Sequence, residues 1–154
     1  GQVRLLAGGG PVGNDTAGFP HSHPDGSYYR PTILEVLDRN VTIWKEEVFG
    51  PVLCVYPFDS EVEAVELAND SKYGLGAAVM TKSRDRLVRM RDALRAGVVW
   101  LNCSQPCFCH LPWGGLKMSG MGRDLGEQAV KSFMETKTIV EYTSGAPWGW
   151  YAAL

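Results

Sequence analysis

Two stretches of this chain bring together residue types that could do chemistry. Glu46-Glu47-Val48-Phe49-Gly50-Pro51 places an acid and an aromatic ring two positions apart and then turns the chain. A carboxylate at Glu47 can accept hydrogen bonds from both hydroxyls of a ribose diol, and a ring at Phe49 can pack on nicotinamide. On spacing alone, a solvated acid beside a core phenylalanine explains the same residues. The second stretch, Pro112 to Gly126, is rich in glycine. It fails as a phosphate loop, because Lys117 precedes Ser119-Gly120 without the G-x-x-x-x-G-K-[ST] order. The glycines at 120, 122 and 126 place the third one residue too far for G-x-G-x-x-G. A tight loop in which only glycine fits the backbone accounts for them.

Cys103, Cys107, Cys109 and His110 crowd one segment. Zinc sites usually take a second ligand pair from elsewhere. His21 and His23 are available by type, but nothing in the sequence places them near. A nucleophilic cysteine needs a base and a lowered pKa, and adjacency to His110 supplies neither by itself. Small polarizable side chains in a tight loop explain the cluster without chemistry. Trp113, Trp148 and Trp150 could attract a quaternary ammonium group, although tryptophans more often anchor cores and interfaces.

The elements that must position these residues follow from pattern. Val52 to Tyr56 is an apolar run suited to a buried strand. Ser60-Glu61-Val62-Glu63 is a capping box opening a helix that carries Val62, Val65 and Leu67 toward Asn69. Gly76 to Met80 reads as a strand. Ser83 caps a helix with Leu87, Met90 and Leu94 on one face, and Gly97 sits where a left-handed terminator is expected. Val98 to Leu101 is the next strand. Strands alternating with helices at this spacing predict an α/β fold with right-handed crossovers and a parallel sheet. Ligands in such sheets gather at the strands' carboxyl ends, here the loop after Leu101. Residues 7–31 are rich in Gly, Pro, Asp and His and predict a surface excursion. Leu125 to Met134 predicts a helix with Ala129, Val130 and Phe133 apolar, and Thr136 to Tyr142 alternates as a strand. The aromatic tail Pro147 to Tyr151 predicts docking on another surface.

Composition sets the outer limits. The 154 residues are 45% hydrophobic and 21% charged, with a formal net charge of −2, ordinary globular usage for one domain. Scattered Lys and Arg point to neither nucleic acid nor an anionic membrane. No apolar run is long enough to span a bilayer. Gly1 to Leu6 lacks the apolar core of a signal peptide, and Ala152-Ala153-Leu154 is not a Ser-Lys-Leu peroxisomal signal. The four cysteines make no disulfide framework, so a soluble, intracellular, reducing setting is expected, with cytoplasm, chloroplast and peroxisome all open.

Taken together, the E-x-F-G-P turn and the Pro112-Trp113-Gly114-Gly115-Leu116-Lys117-Met118-Ser119-Gly120-Met121-Gly122-Arg123 loop resemble the C-terminal part of NAD(P)-dependent aldehyde dehydrogenases. Asn102-Cys103-Ser104-Gln105-Pro106-Cys107-Phe108-Cys109 and Pro147-Trp148-Gly149-Trp150-Tyr151 are similar to the plant-type betaine aldehyde/aminoaldehyde group. The resemblance covers nearly the whole chain from Val3, more loosely over 7–31, and corresponds to the final third of a family member. It implies that residues 1–135 are the C-terminal part of the catalytic domain, a parallel-rich sheet with flanking helices. Residues 136–154 would be an oligomerisation strand and docking tail, giving a dimer or tetramer.

The resemblance also implies roles. Glu47 would bind the nicotinamide ribose and Phe49 would pack on the nicotinamide of NAD. Trp113 would join an aromatic box around the substrate's cationic end, bordered by Val98 and Cys107. Val98 is intermediate in size, which leaves betaine aldehyde and smaller aminoaldehydes both open. His110-Leu111 departs from the usual Gln-Ala at that wall. The carbonyls of Lys117 and Gly120 would help hold a potassium ion. Asp124 stands where the family has a proton-relaying Glu, shorter by one methylene and without its upstream lysine. The implied reaction is attack by a cysteine on an aldehyde, hydride transfer to NAD+, and hydrolysis of the thioester by a Glu-activated water. The attacking cysteine and that Glu would lie upstream of Gly1. A non-catalytic α/β interaction module on the same scaffold and a zinc-binding protein are the other expectations.

Overall fold

The computed structural model describes residues 1–12 and 26–146. The chain opens with β1 (Val3–Ala7), antiparallel to β2 (Thr32–Val36), in register from Val3 opposite Val36. A bridge between Pro11 and Tyr29 extends the hairpin outward, so the visible base of the 7–31 excursion is a β-arm. Gly8 is required locally. Gly8 has φ +73°, and a Cβ there would lie 2.0 Å from the Pro31 carbonyl oxygen. The excursion's residues 13–25, with His21 and His23, lie outside the described residues.

After β2, a single helical turn, α1 (Thr42–Lys45), leads through the Glu46–Pro51 turn into β3 (Val52–Val55). β3 pairs parallel to β2, giving a three-stranded sheet in the order β1-β2-β3. Ser60 then caps α2 (Glu61–Asn69), its hydroxyl accepting from the Glu63 N–H at 3.1 Å. The reciprocal arm of the expected capping box falls one residue earlier: Glu63 accepts from the Asp59 N–H at 2.8 Å. The buried residue of α2 is Ala64, whereas Val62 is exposed.

β4 (Tyr73–Gly74) and β5 (Gly76–Val79) follow, then α3 (Arg84–Ala93), capped by Ser83 and buried through Leu87. β6 (Val98–Leu101) pairs parallel to β5, with Gly76 opposite Val98 and Ala78 opposite Trp100. The short strand β7 (Leu116–Lys117) runs antiparallel to β4, and α4 (Gly126–Ser132) closes the sequence of elements.

Four expectations need correction. The parallel pairings β2·β3 and β5·β6 are present, but β3 and β5 are not hydrogen-bonded neighbours, so the described strands form three small sheets. Strands joined by a helical crossover need not be adjacent. Gly97 does not terminate α3 in a left-handed conformation. The cap is Leu94 in extended backbone, and Gly97 is glycine because a Cβ would sit 1.7 Å from the Gly114 carbonyl oxygen. The helix expected from Leu125 to Met134 is shorter, Gly126 to Ser132, and its apolar residues Val130 and Phe133 face outward. Thr136 to Tyr142 forms no ladder among the described residues. Ile139 is 79% exposed there, because alternation prepares a strand but only a partner's hydrogen bonds make one.

Candidate functional site

The Glu46–Pro51 turn is held at both ends by backbone. The Glu46 N–H, just past the end of α1, donates to the carbonyl of Thr42, and the Pro51 carbonyl accepts from the Thr32 N–H at the start of β2. Its two acids then differ. Glu46 takes the Lys72 ammonium on both carboxylate oxygens at 2.6 Å and accepts from the Tyr73 hydroxyl at 3.4 Å. Hydrogen bonding to Lys72 and its positive charge hold the Glu46 carboxyl below its ordinary pKa, and the same bond raises Lys72. Glu47 is exposed with no hydrogen-bond or ion-pair partner among the described residues. The Phe49 ring is 93% exposed. It borders a cleft of about 660 Å³ shared with Tyr29, Ile43, Val48 and Pro51. The turn therefore presents one free carboxylate and one free ring.

The glycine-rich loop is fixed by its own backbone. Trp113 and Asp124 exchange both N–H···O bonds at 2.7 Å, and Arg123 donates to the carbonyls of Gly115 and Gly122 at 2.8 Å. Gly114 and Gly115 are required, since a Cβ on either would come within 2.4 Å of Gly122 or Ser119. Lys117, with φ +54°, donates its ammonium to the carbonyls of Asn69 and Ser71 at 2.9 Å each. It caps the end of α2, where carbonyls lack intrahelical donors. The Met118 N–H donates to Lys72, and the Ser119 hydroxyl accepts from the Gly74 N–H at 3.0 Å. The backbone of Asp124 locks Trp113, and its side chain has no partner among the described residues.

Trp113 lies 5.9 Å from Trp100, ring to ring, at 51°. The Trp100 indole donates to the Pro106 carbonyl at 2.9 Å, and its ring lies so close over Gly76 that a Cβ there would meet it at 2.7 Å. These two tryptophans, with Leu75, Gly76, Ser104 and Gln105, line a cleft of about 350 Å³ that runs from the start of β5 to the loop after β6. The loop after Leu101 contributes Ser104 and Gln105 to it. Asn102 and Gln105 adopt left-handed backbone there, at φ +55° and +76°. Asn102 is steadied by accepting from the Thr81 N–H at 2.8 Å. Val98 starts β6, and Cys107 is exposed in the loop; neither lines this cleft.

Among the described residues, no three His, Cys, Asp or Glu side chains converge as a metal site requires. Cys103, Cys107 and Cys109 are free and exposed, and His110 stacks near Phe108 at 5.7 Å. Burial raises the Cys54 thiol, which leans on the Ile43 carbonyl, so it is a packing residue. No helix among the described residues is long and apolar enough to cross a membrane. Trp148 and Trp150 lie outside the described residues. Sequence reasoning missed Glu46, Lys72, Asn69 and Trp100. Asn69 ties α2 to α3 by donating to Ala93 and accepting from the Arg95 N–H. The turn-forming run Asn69-Asp70-Ser71-Lys72 was the available signal.

The aldehyde dehydrogenase family profile matches residues 4–139. A peroxisomal aminoaldehyde dehydrogenase of Malus domestica is 51% identical over 149 residues, covering 97% of this chain and 28% of that protein. A chloroplastic aminoaldehyde dehydrogenase of Arabidopsis thaliana is 53% identical over 132 residues, covering 86% of this chain and 26% of that protein. Among solved structures, betaine aldehyde dehydrogenase of Staphylococcus aureus in complex with NAD+ superposes with a TM-score of 0.86 at 37% identity, covering 97% of this chain and 28% of that one. The chain thus spans less than a third of the length of these relatives. With a family profile over most of its length and the same fold in a solved relative, this chain belongs to the aldehyde dehydrogenase family.

Proposed function

We propose that the chain is the C-terminal portion of an NAD-dependent betaine aldehyde/aminoaldehyde dehydrogenase, whose nucleophilic cysteine and general base lie in upstream sequence. The observation that carries this reading is the Glu46–Pro51 turn, which immobilises one acid and leaves Glu47 and Phe49 exposed and unengaged. A free carboxylate that can accept from a ribose diol and a free ring that can pack on a flat heterocycle stand together on one turn. The similarity to relatives named aminoaldehyde dehydrogenases supports the same reading, as does the S. aureus betaine aldehyde dehydrogenase solved with NAD+.

In this reading NAD+, when bound, would supply the hydride acceptor. Glu47 would accept from the ribose hydroxyls, and Phe49 would pack against the nicotinamide ring. Trp113 would screen the aldehyde's cationic end; Val98 and Cys107 lie outside the Trp100–Trp113 cleft of this chain and would border that end only in the larger pocket of the full-length enzyme. Asp124 stands at the relay position, and its side chain has no partner among the described residues. A potassium ion would take the carbonyls of Lys117 and Gly120. Two carbonyls fall short of the coordination a hard cation takes from oxygen, so this chain would supply part of that site only.

The test is kinetic. A full-length enzyme carrying this segment should reduce NAD+ in the presence of betaine aldehyde or an aminoaldehyde. If it produces no NADH with any aldehyde, the rival reading stands: a non-catalytic α/β interaction module on the same scaffold.

A further inference from the structure

The loop from Asn69 to Gly74 touches both halves of the site just described. On one side it receives the glycine-rich loop: Lys117 on the carbonyls of Asn69 and Ser71, Met118 on the carbonyl of Lys72, and Ser119 beneath the Gly74 N–H. On the other side it sends the Lys72 ammonium onto both oxygens of Glu46, one residue before Glu47. Backbone bonds anchor the Glu46–Pro51 turn to α1 and to β2, but they do not join it to this loop.

We propose that the Glu46–Lys72 ion pair is a positioning device that fixes the Glu47–Phe49 turn relative to the Trp113 loop, so that the cofactor-facing and substrate-facing groups share one mount. The proposal rests on the dehydrogenase reading above. The geometry favours positioning over stability. Both side chains are partly exposed, 37% for Lys72 and 51% for Glu46, and exposed pairs add little to folding. Rates are more sensitive to placement. A displacement of about 1 Å in a reacting arrangement can cost on the order of 100-fold. Glu46 is rigidly joined to Glu47, so freedom gained at the first acid is passed to the second. The Tyr73 hydroxyl at 3.4 Å from Glu46 is too long to replace the ammonium.

The experiment uses the full-length enzyme that carries this segment, with Glu46→Gln, Lys72→Met and the reciprocal exchange Glu46→Lys/Lys72→Glu. Each single substitution should slow single-turnover hydride transfer by roughly tenfold or more. KM for NAD+ and the melting temperature should stay near the parent's. The exchange should recover most of the loss. Raising ionic strength should slow the unsubstituted enzyme and leave Glu46→Gln insensitive, because only the former has a pair to screen. Single variants that transfer hydride at the parent rate would overturn the proposal. So would losses that track a lowered melting temperature, are unchanged by salt and are not recovered by the exchange, since the pair would then be structural. An unsubstituted full-length enzyme that reduces no NAD+ with any aldehyde defeats the dehydrogenase reading itself, and the positioning role falls with it.

Discussion

Glu46 and Glu47 are adjacent carboxylates in different surroundings, because among the described residues Glu46 alone of the two has a cation partner. Replacing Glu47 by Gln keeps the side chain's size but removes its charge and one acceptor site, since an amide nitrogen donates. In the full-length enzyme this should slow hydride transfer more than it weakens NAD+ binding, because the adenosine half of the cofactor would be held elsewhere. Single-turnover absorbance at 340 nm alongside cofactor titration checks it, and an unchanged transfer rate would remove Glu47 from its role. Trp113 is argued from the same kind of contrast. Its ring is held by the Asp124 backbone pair and tilts against Trp100, so Trp113→Ala removes a fixed aromatic face. A cation–π contact of that kind is worth about 0.5–2 kcal/mol. We expect kcat/KM for betaine aldehyde to fall by about 1–2 kcal/mol, with a smaller loss for an uncharged aliphatic aldehyde. Equal losses would make Trp113 a packing residue only.

At the scale of elements, α2 and α3 are clamped by Glu61, which accepts from Arg86 at 3.0 Å and from Arg89 at 2.8 Å. Those bonds, Arg89 foremost, lower the Glu61 pKa from 4.5 to about 2. A carboxyl depressed by folding contributes stability above its unfolded pKa and loses it as pH falls toward the folded one. Glu61→Gln should therefore melt below the parent at neutral pH. The gap should close between about pH 4.5 and about pH 2 and shrink with salt, since the arginines are half exposed. A gap independent of pH would mean that Glu61 acts by shape alone. Elements of this kind were legible in the sequence because their signals are local. Ser60 and Ser83 cap the helices that their spacing predicts, and Val52 and Val98 begin strands where apolar runs begin. What escaped was set by distant partners. Gly97 looked like a helix terminator, but its reason is the Gly114 carbonyl, seventeen positions on and folded against it. The β4·β7 pairing and the Lys72–Glu46 bond likewise join segments far apart in sequence, and no periodicity encodes such meetings. In the site, the residue types at 47, 49 and 113 were readable, whereas the mount that holds them was not.

The whole molecule carries more surface than its mass explains. Its accessible area is 12187 Å² for 16.9 kDa, whereas a compact monomer of that mass shows about 7,700 Å². Among the described residues, four apolar side chains are buried: Val36, Ala64, Val79 and Leu87. Large ones stand in solvent along the chain's last third, including Phe133 at 91% and Val140 at 74% exposed. A groove of about 540 Å³ runs between α2, α3 and the open edge of β5, floored by Ala77 to Thr81. Unpaired strand edges and contiguous apolar surface both promote association. Two outcomes follow for the 154-residue chain by itself. It should oxidise no aldehyde, because the proposed nucleophile and base are elsewhere. NADH formed with betaine aldehyde and abolished by mutating Cys103, Cys107 or Cys109 would refute this. It should also self-associate, with the segment from Lys137 onward contributing through the alternating Thr138-Ile139-Val140 stretch, which forms no strand ladder among the described residues. Removing residues 137–154 should improve its solubility. The same deletion in a full-length enzyme should abolish subunit assembly, if that stretch completes a sheet between subunits. Light scattering decides both. A clean monomer at high concentration would mean the exposed edge is already covered within the chain, and an undisturbed oligomer after deletion would place the subunit contact elsewhere.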